Sequence, residues 1–234
     1  GKNMTNLLKA NWDISCASYR KLPIGTANCF TVNDGSNNFF LKEYQSYIED
    51  CDIIREANIL EKLKNYEIPS TDFIETVSRE KMVKYRGHRF VLQKYMSGQS
   101  YGYNDFPEEM LPQMAVMLAK IHIALKDMEL PVDMDAAWVN GDAVSKYDNI
   151  LEVLEQHRED SLYKQIKEDV LYKRTVLQKN QDIFRRYFEG ITYSPSHGDY
   201  QGCQIIGENN RIKAVIDFTS ARKLPVVWEL MRSF

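Results

Sequence analysis

Between Ser196 and Phe218 the sequence runs SHGDYQGCQIIGENNRIKAVIDF, which sets four polar side chains with chemical capacity, His197, Asp199, Gln204 and Asp217, among short apolar runs. Asp199 opens a loop-like Tyr200-Gln201-Gly202, and Gln204 leads into the apolar pair Ile205-Ile206. Gly207 to Asn210 is a turn by composition, and Ala214 to Ile216 is an apolar strand ending on Asp217. The pattern predicts a hairpin bracketed by two carboxylates. Phosphoryl transfer uses such a layout: one Asp orients or deprotonates an acceptor hydroxyl, while an amide and a second Asp hold magnesium against nucleotide phosphates. In this reading Asp199 takes the first role, and Gln204 and Asp217 the second.

A phosphate site also needs a cation, and the upstream elements offer one. Tyr19 to Pro23, Cys29 to Val32 and Phe39 to Tyr44 read as strands, the first two joined by the small-residue loop Gly25-Thr26-Ala27-Asn28. Alternation puts Phe40, Lys42 and Tyr44 on one face. A lysine there either snorkels from an edge strand or meets an anion. Ile53, Ile54, Ala57, Leu60 and Leu63 then recur at helical spacing, on a helix that carries Arg55-Glu56. A strand lysine followed by a helix glutamate is the ion pair that positions a phosphate-binding lysine. Glu56 is the expected partner, with Glu49 and Glu61 as rivals.

At these residues the chain resembles the aminoglycoside phosphotransferase and choline kinase family, small-molecule relatives of the protein kinases. That family carries HGDxxxxN, a hydrophobic strand and I-D-[FW]; this chain has His197-Gly198-Asp199, Gln204 in place of Asn, and Ile216-Asp217-Phe218. The segment REANILEKL resembles the family's helix around Glu56. The resemblance implies an α+β, two-lobed protein kinase-like fold. Residues 1–96 would be a small antiparallel-sheet lobe with one helix that binds nucleotide, with a hinge at about 93–98. Residues 97–234 would be a mainly helical lobe with the catalytic loop and the metal-binding Asp217. It implies ATP or GTP as phosphate donor, Mg2+ as cofactor, and a small-molecule acceptor. Gly25 and Thr26 would cover the phosphates, Lys42 and Glu56 would hold them, and backbone groups of Gln93, Lys94, Tyr95 and Met96 would meet the adenine. Asp199 is the implied catalytic residue, His197 organises its loop, and Gln204 and Asp217 hold the metal. Gln is one carbon longer than the family's Asn, so its carbonyl reaches about 1.5 Å further, against magnesium's demand for near-ideal octahedral geometry. That departure keeps a second reading open, a kinase-like fold that binds ligand without transferring phosphate. Relatives continue past Phe234 through further helices, so the chain is expected to be C-terminally truncated.

The remaining sequence supplies the frame and one rival. Residues 5–21 read as an irregular or partly helical lead-in. Ile68-Pro69 ends the first helix region, residues 70–77 read as one strand, and Lys81 to Tyr85 and Arg89 to Tyr95 as a hairpin closed at Arg86-Gly87-His88. Leu111, Met114, Ala115, Leu118, Ile121 and Leu125 mark an amphipathic helix from Glu108 to Lys126, with His122 near its apolar stripe. Residues 127–142 read as loop, Ala143 to Glu189 as two or more helices, and Trp228-Glu229-Leu230 opens a further helical segment. Gly98-Gln99-Ser100-Tyr101-Gly102 matches the GxSxG elbow of serine hydrolases, with His197 downstream; an elbow must enter a helix at once, and Tyr103 to Pro107 has no helical pattern.

Composition sets the outer bounds. With 30 Lys+Arg against 33 Asp+Glu and a net charge of −3, the 234-residue chain has no global attraction for nucleic acid or an anionic membrane. No apolar run approaches the roughly 20 residues that span a bilayer, and the N-terminus has no signal-peptide core. A cytoplasmic protein is the expectation. Its 4 cysteines form no CxxC or zinc-like spacing and are expected as reduced thiols. Oligomeric state leaves no trace in the sequence.

Overall fold

The first hundred residues reverse direction at each polar run and so build an antiparallel sheet. The computed structural model describes residues 2–23, 25, 27–102, 104–132 and 142–233. Helix α1 (Lys2–Trp12) precedes β1 (Ser18–Leu22), β2 (Asn28–Asn33) and β3 (Asn38–Tyr44); helix α2 (Asp50–Asn65) leads to β4 (Phe73–Ile74), β5 (Val83–Tyr85) and β6 (His88–Lys94). The strands lie in the order β1-β2-β3-β6-β4, with β5 also paired to β6. Arg86 and Gly87 close the β5–β6 hairpin at φ 52° and 80°; two successive positive φ values give the primed turn whose twist suits a tight hairpin.

Both faces of this sheet are covered. Leu7, Leu8 and Trp12 of α1 pack with Phe30, Val32, Leu41, Phe90 and Leu92 on one face, and Ile53 of α2 meets Tyr44 and Val91 on the other. The lead-in expected to be irregular or partly helical is a helix over residues 2–12. Met4, Leu8 and Trp12 recur every four residues, and burial of that stripe sustains an 11-residue helix that propensity alone would not. The single strand expected over residues 70–77 contributes only β4. Thr76 turns the chain instead: its N–H donates to the Glu80 carbonyl, and its hydroxyl accepts the Glu80 N–H, each at 2.9 Å.

Past β6 come β7 (Gln99–Ser100), a 3-10 turn at Glu108–Met110, α3 (Leu111–Leu125), α4 (Asp142–Glu155), α5 (Tyr163–Phe188), β8 (Tyr193–Ser196), β9 (Ile205–Glu208), β10 (Arg211–Val215), β11 (Arg222–Pro225) and α6 (Val226–Ser233). The architecture is α+β. Of the loop expected at 127–142, residues 133–141 lie outside the described residues.

The chain divides into two compact units, residues 1–130, 195–222 and 227–234 in one, and residues 131–194 and 223–226 in the other. Within the first, β10, β9 and β7 form a second small sheet. Its core is built on the apolar face of α3, where Met114, Leu118, Ile121 and Leu125 pack with Ile59 and Leu63 of α2 and with Tyr200, Ile205, Val215 and Phe218. Within the second, α4 and α5 are tied by ion pairs from Arg174 to Asp148 and from Lys167 to Glu155, both 2.6 Å. β8 pairs with β11.

Leu118 is 2% exposed at the centre of the first unit's core. Leu118→Ala should cost about 2–5 kcal/mol of stability by leaving a cavity. Val116→Ala, on the opposite side of the same helix and 57% exposed, should change stability by no more than about 0.5 kcal/mol. Denaturant unfolding measures both.

Candidate active site

The site is assembled within the first unit, from a loop, a strand end, the strand β3 and the helix α2. The loop comes first. Gly198 has φ +87°, and a Cβ there would lie 2.0 Å from the Ser220 carbonyl oxygen, so only glycine lets the backbone pass. The N–H groups of His197 and Gly198 donate to the Glu229 carboxylate at 3.3 and 2.8 Å. His197 Nδ1 accepts the Asp199 N–H at 3.2 Å. Accepting there puts the imidazole proton on Nε2, which donates to the Ile216 carbonyl at 2.9 Å. The ring is buried against Phe218 and Tyr200.

Asp199 is left projecting from this rigid loop. Its Oδ1 accepts Gln201 Nε2 at 2.6 Å and Arg232 Nη2 at 2.7 Å, and its Oδ2 accepts Gln204 Nε2 at 3.1 Å. A carboxylate only accepts, so Gln204 must turn its NH2 toward Asp199, and its carbonyl oxygen stays available to a cation. The Ile216 N–H donates to the Gln204 backbone carbonyl at 2.9 Å, which fastens this residue beside the strand end that carries Asp217.

Asp217 adopts the left-handed conformation (φ 62°, ψ 67°), costly for a side chain other than glycine's and tolerated best by Asp and Asn. That turn aims it at Lys42. The Lys42 ammonium, 8% exposed, donates to Asp217 Oδ1 at 2.8 Å and to the Thr219 hydroxyl at 2.9 Å. The ion pair expected between Lys42 and Glu56 is therefore corrected: the direct partner is Asp217, and Glu56 stands one hydroxyl away. Glu56 Oε2 is 2.8 Å from both the Tyr44 and the Thr219 hydroxyls, while its Oε1 is buried with no partner. The physical reason is reach, since Thr219 fills the space that a direct contact would use.

Burial and charge oppose each other at Lys42 and Asp217 and act together at Tyr44. Burial works to lower the Lys42 pKa, but Glu56 and then Asp217 outweigh it and hold the ammonium above its usual value. Burial works to raise Asp217, but the Lys42 charge and hydrogen bond keep its carboxyl below the usual range. Burial, and then the charge of Glu56, push the Tyr44 phenol well up.

The remaining expected residues fall as follows. Gly25 lies in the turn between β1 and β2 with open space around it; Thr26 lies outside the described residues. Gln93 is buried in β6, in register with Phe40 and Phe73. The Lys94 N–H donates to the Asp72 carbonyl at 2.9 Å, and its carbonyl accepts the Thr71 hydroxyl at 2.8 Å. The backbone of Lys94 is thus already engaged, and Tyr95 and Met96 follow the end of β6.

The hydrolase reading of Ser100 fails. Ser100 ends β7 paired to Ile206, no helix follows before Glu108 among the described residues, and both His197 ring nitrogens are committed to the backbone. Sequence reasoning also missed Tyr44, Thr219, Glu229 and Arg232. Only Glu229 carried a signal, an acid within the apolar run Val226 to Met231 that a buried role explains.

An antiparallel sheet bearing a buried lysine, joined to an HGD loop and a strand ending in Asp217, defines the fold of the kinase-like phosphotransferases. Residues 18–234 match the model of the phosphotransferase enzyme family, and the chain belongs to that family. A comparison with curated proteins gave no match. Among solved structures, a spectinomycin phosphotransferase in complex with ADP and spectinomycin superposes with a TM-score of 0.71 at 15% identity, over 96% of this chain and 70% of that one. An amicoumacin kinase in complex with AMP-PNP and Ca2+ gives 0.70 at 8%, over 99% and 67%. A thermostable aminoglycoside phosphotransferase mutant with ADP and hygromycin B gives 0.63 at 14%, over 98% and 75%. At these identities the likeness is one of fold.

Glu229 is 2% exposed, and His122 Nε2 donates to its Oε2 at 2.5 Å. Burial works to raise its pKa, but the His122 hydrogen bond and the Gly198 N–H hold it below the usual glutamate value of 4.5. A depressed carboxyl contributes stability that is full above the unfolded pKa and is lost as pH falls through the folded one. Glu229→Gln should therefore lower the melting temperature at pH 7, and the gap to wild type should narrow as pH drops below 4.5. Melting curves between neutral and acid pH test this.

Proposed function

We propose that the protein transfers the γ-phosphoryl group of ATP or GTP to a hydroxyl of a small molecule. The observation that carries this reading is the pairing of a loop-held Asp199 with a buried Lys42–Asp217 cluster in one unit, bridged by Gln204. Family membership and the nucleotide-bound state of the structural neighbours support it. Residues 1–96 would bind the nucleotide, and residues 97–234 would supply the catalytic loop and meet the acceptor.

In this mechanism Lys42 draws the nucleotide phosphates to the sheet, and Glu56, through Thr219, keeps the ammonium charged and in place. Backbone groups of Tyr95 and Met96 meet the base, and the Gly25 turn closes over the phosphates. Asp199 accepts the hydroxyl proton on Oδ2 as the acceptor oxygen bonds to phosphorus and the bond to the leaving diphosphate breaks.

Magnesium fits the donors present. Among the described residues no group of three or more His, Cys, Asp or Glu could hold a metal ion. A cation would therefore rest on the Asp217 carboxylate, the Gln204 carbonyl, phosphate oxygens and water, an all-oxygen set of the kind magnesium takes in nucleotide sites. When bound it supplies charge neutralisation on the phosphates. Lys42 already occupies Asp217 Oδ1, which favours delivery of the metal with the nucleotide. No helix among the described residues is long and apolar enough to cross a membrane.

Transfer of labelled γ-phosphate from ATP or GTP to a panel that includes spectinomycin, hygromycin B, choline and homoserine tests the proposal. Asp199→Asn should lose about 10²- to 10⁴-fold in transfer and keep nearly intact nucleotide binding. Nucleotide binding without transfer to any hydroxyl would leave a ligand-binding protein. Full activity in Asp199→Asn would reject the assigned base.

A further inference from the structure

Helix α6 reaches the HGD loop with two side chains one turn apart. Glu229 holds the loop's backbone, through the N–H groups of His197 and Gly198. Arg232, three residues on and so on the same side of the helix, reaches its one acidic side chain, with Nη2 2.7 Å from Asp199 Oδ1.

The hydrogen bonds of Asp199 give that contact a direction. Among the described residues, Oδ1 accepts both Arg232 and Gln201, while Oδ2 accepts only Gln204. An ionised carboxylate offers about four lone-pair sites, two per oxygen, so Oδ1 is filled and the open site lies on Oδ2. We propose that Arg232 is the positioning residue of Asp199: it holds Oδ1, so that Oδ2 alone is presented to the acceptor hydroxyl. Its charge also offsets that of Asp199 beside an incoming anionic phosphoryl group. The inference rests on the reading of Asp199 as the group that takes the hydroxyl proton.

Arginine is the suited residue. An aspartate carboxyl rotates in a broad well about Cβ–Cγ, and the neutral amides of Gln201 and Gln204 hold it less firmly than Arg232, in whose bond both donor and acceptor are ionised. The planar guanidinium also loses less freedom per bond formed than a lysine ammonium would. The Arg232 side chain is 47% exposed, so truncating it opens no cavity in the core.

Water serves as the test acceptor. Phosphate release from magnesium-ATP is measured for wild type, Arg232→Ala, Arg232→Lys, Asp199→Asn and the double variant Arg232→Ala/Asp199→Asn, alongside magnesium-ADP affinity and melting temperature. Arg232→Ala should lower turnover by about 10- to 100-fold, the span of one hydrogen bond to a charged group, with ADP affinity and melting temperature unchanged. Arg232→Lys should recover part of the loss. In the Asp199→Asn background the arginine change should cost nothing further, because a residue acting through Asp199 has nothing left to position. Turnover that is unchanged or raised in Arg232→Ala, or an equal loss in both backgrounds, overturns the role of Arg232 and leaves the transfer reading standing. A wild type that transfers phosphate from neither ATP nor GTP, to water or to any acceptor of the panel, overturns the transfer reading and, with it, this role.

Discussion

The structure depends on one buried ammonium. Lys42 comes from β3, Asp217 from just past the end of β10, Thr219 from the turn after it and Glu56 from α2, and the four meet around an ammonium that is 8% exposed. A lone buried charge would cost several kcal/mol, so each member requires the others. The sheet, the helix and the strand end cannot shift independently without stranding a charge. Two features are odd for a purely structural cluster. Asp217 sits in a left-handed conformation, and Glu56 keeps a buried carboxylate oxygen without a partner. Strain and unsatisfied polar groups of this kind concentrate at functional sites.

A second constraint acts on the backbone. The HGD loop turns too sharply for its amides to meet a strand partner, and Glu229 satisfies two of them from α6. His197 satisfies a third through Nδ1 and donates its Nε2–H to the Ile216 carbonyl. The loop that carries Asp199 is thereby tied to the residue preceding Asp217. A histidine in this position acts as a fastener, and its chemistry as an acid or base is spent on two hydrogen bonds.

What could be read from sequence was what local pattern encodes. Strand alternation exposed Lys42, helical spacing exposed Glu56, and the hairpin turn between two apolar runs exposed Asp199 and Asp217. Thr219, Tyr44 and Arg232 were illegible, because a threonine, a tyrosine and a C-terminal arginine are ordinary residues until the fold brings them to a charge. The Lys42–Glu56 pair was misjudged for the same reason: spacing gives the elements, and only packing shows that a hydroxyl stands between them. Helix α1 was legible only as a partly helical lead-in because its stripe of Met4, Leu8 and Trp12 is short, and it gains meaning only against the face of the sheet that it covers.

The central claim, that the Lys42–Asp217 cluster receives a metal-bound nucleotide, is tested most directly by thermal melting with magnesium alone and with magnesium plus ATP or GTP. Wild type and Asp217→Ala are each compared with their own magnesium baseline. A ligand that binds only the folded state raises the melting temperature. The account predicts a rise with nucleotide in wild type that disappears in the variant. Equal rises in both proteins, or no rise with either nucleotide, would contradict it.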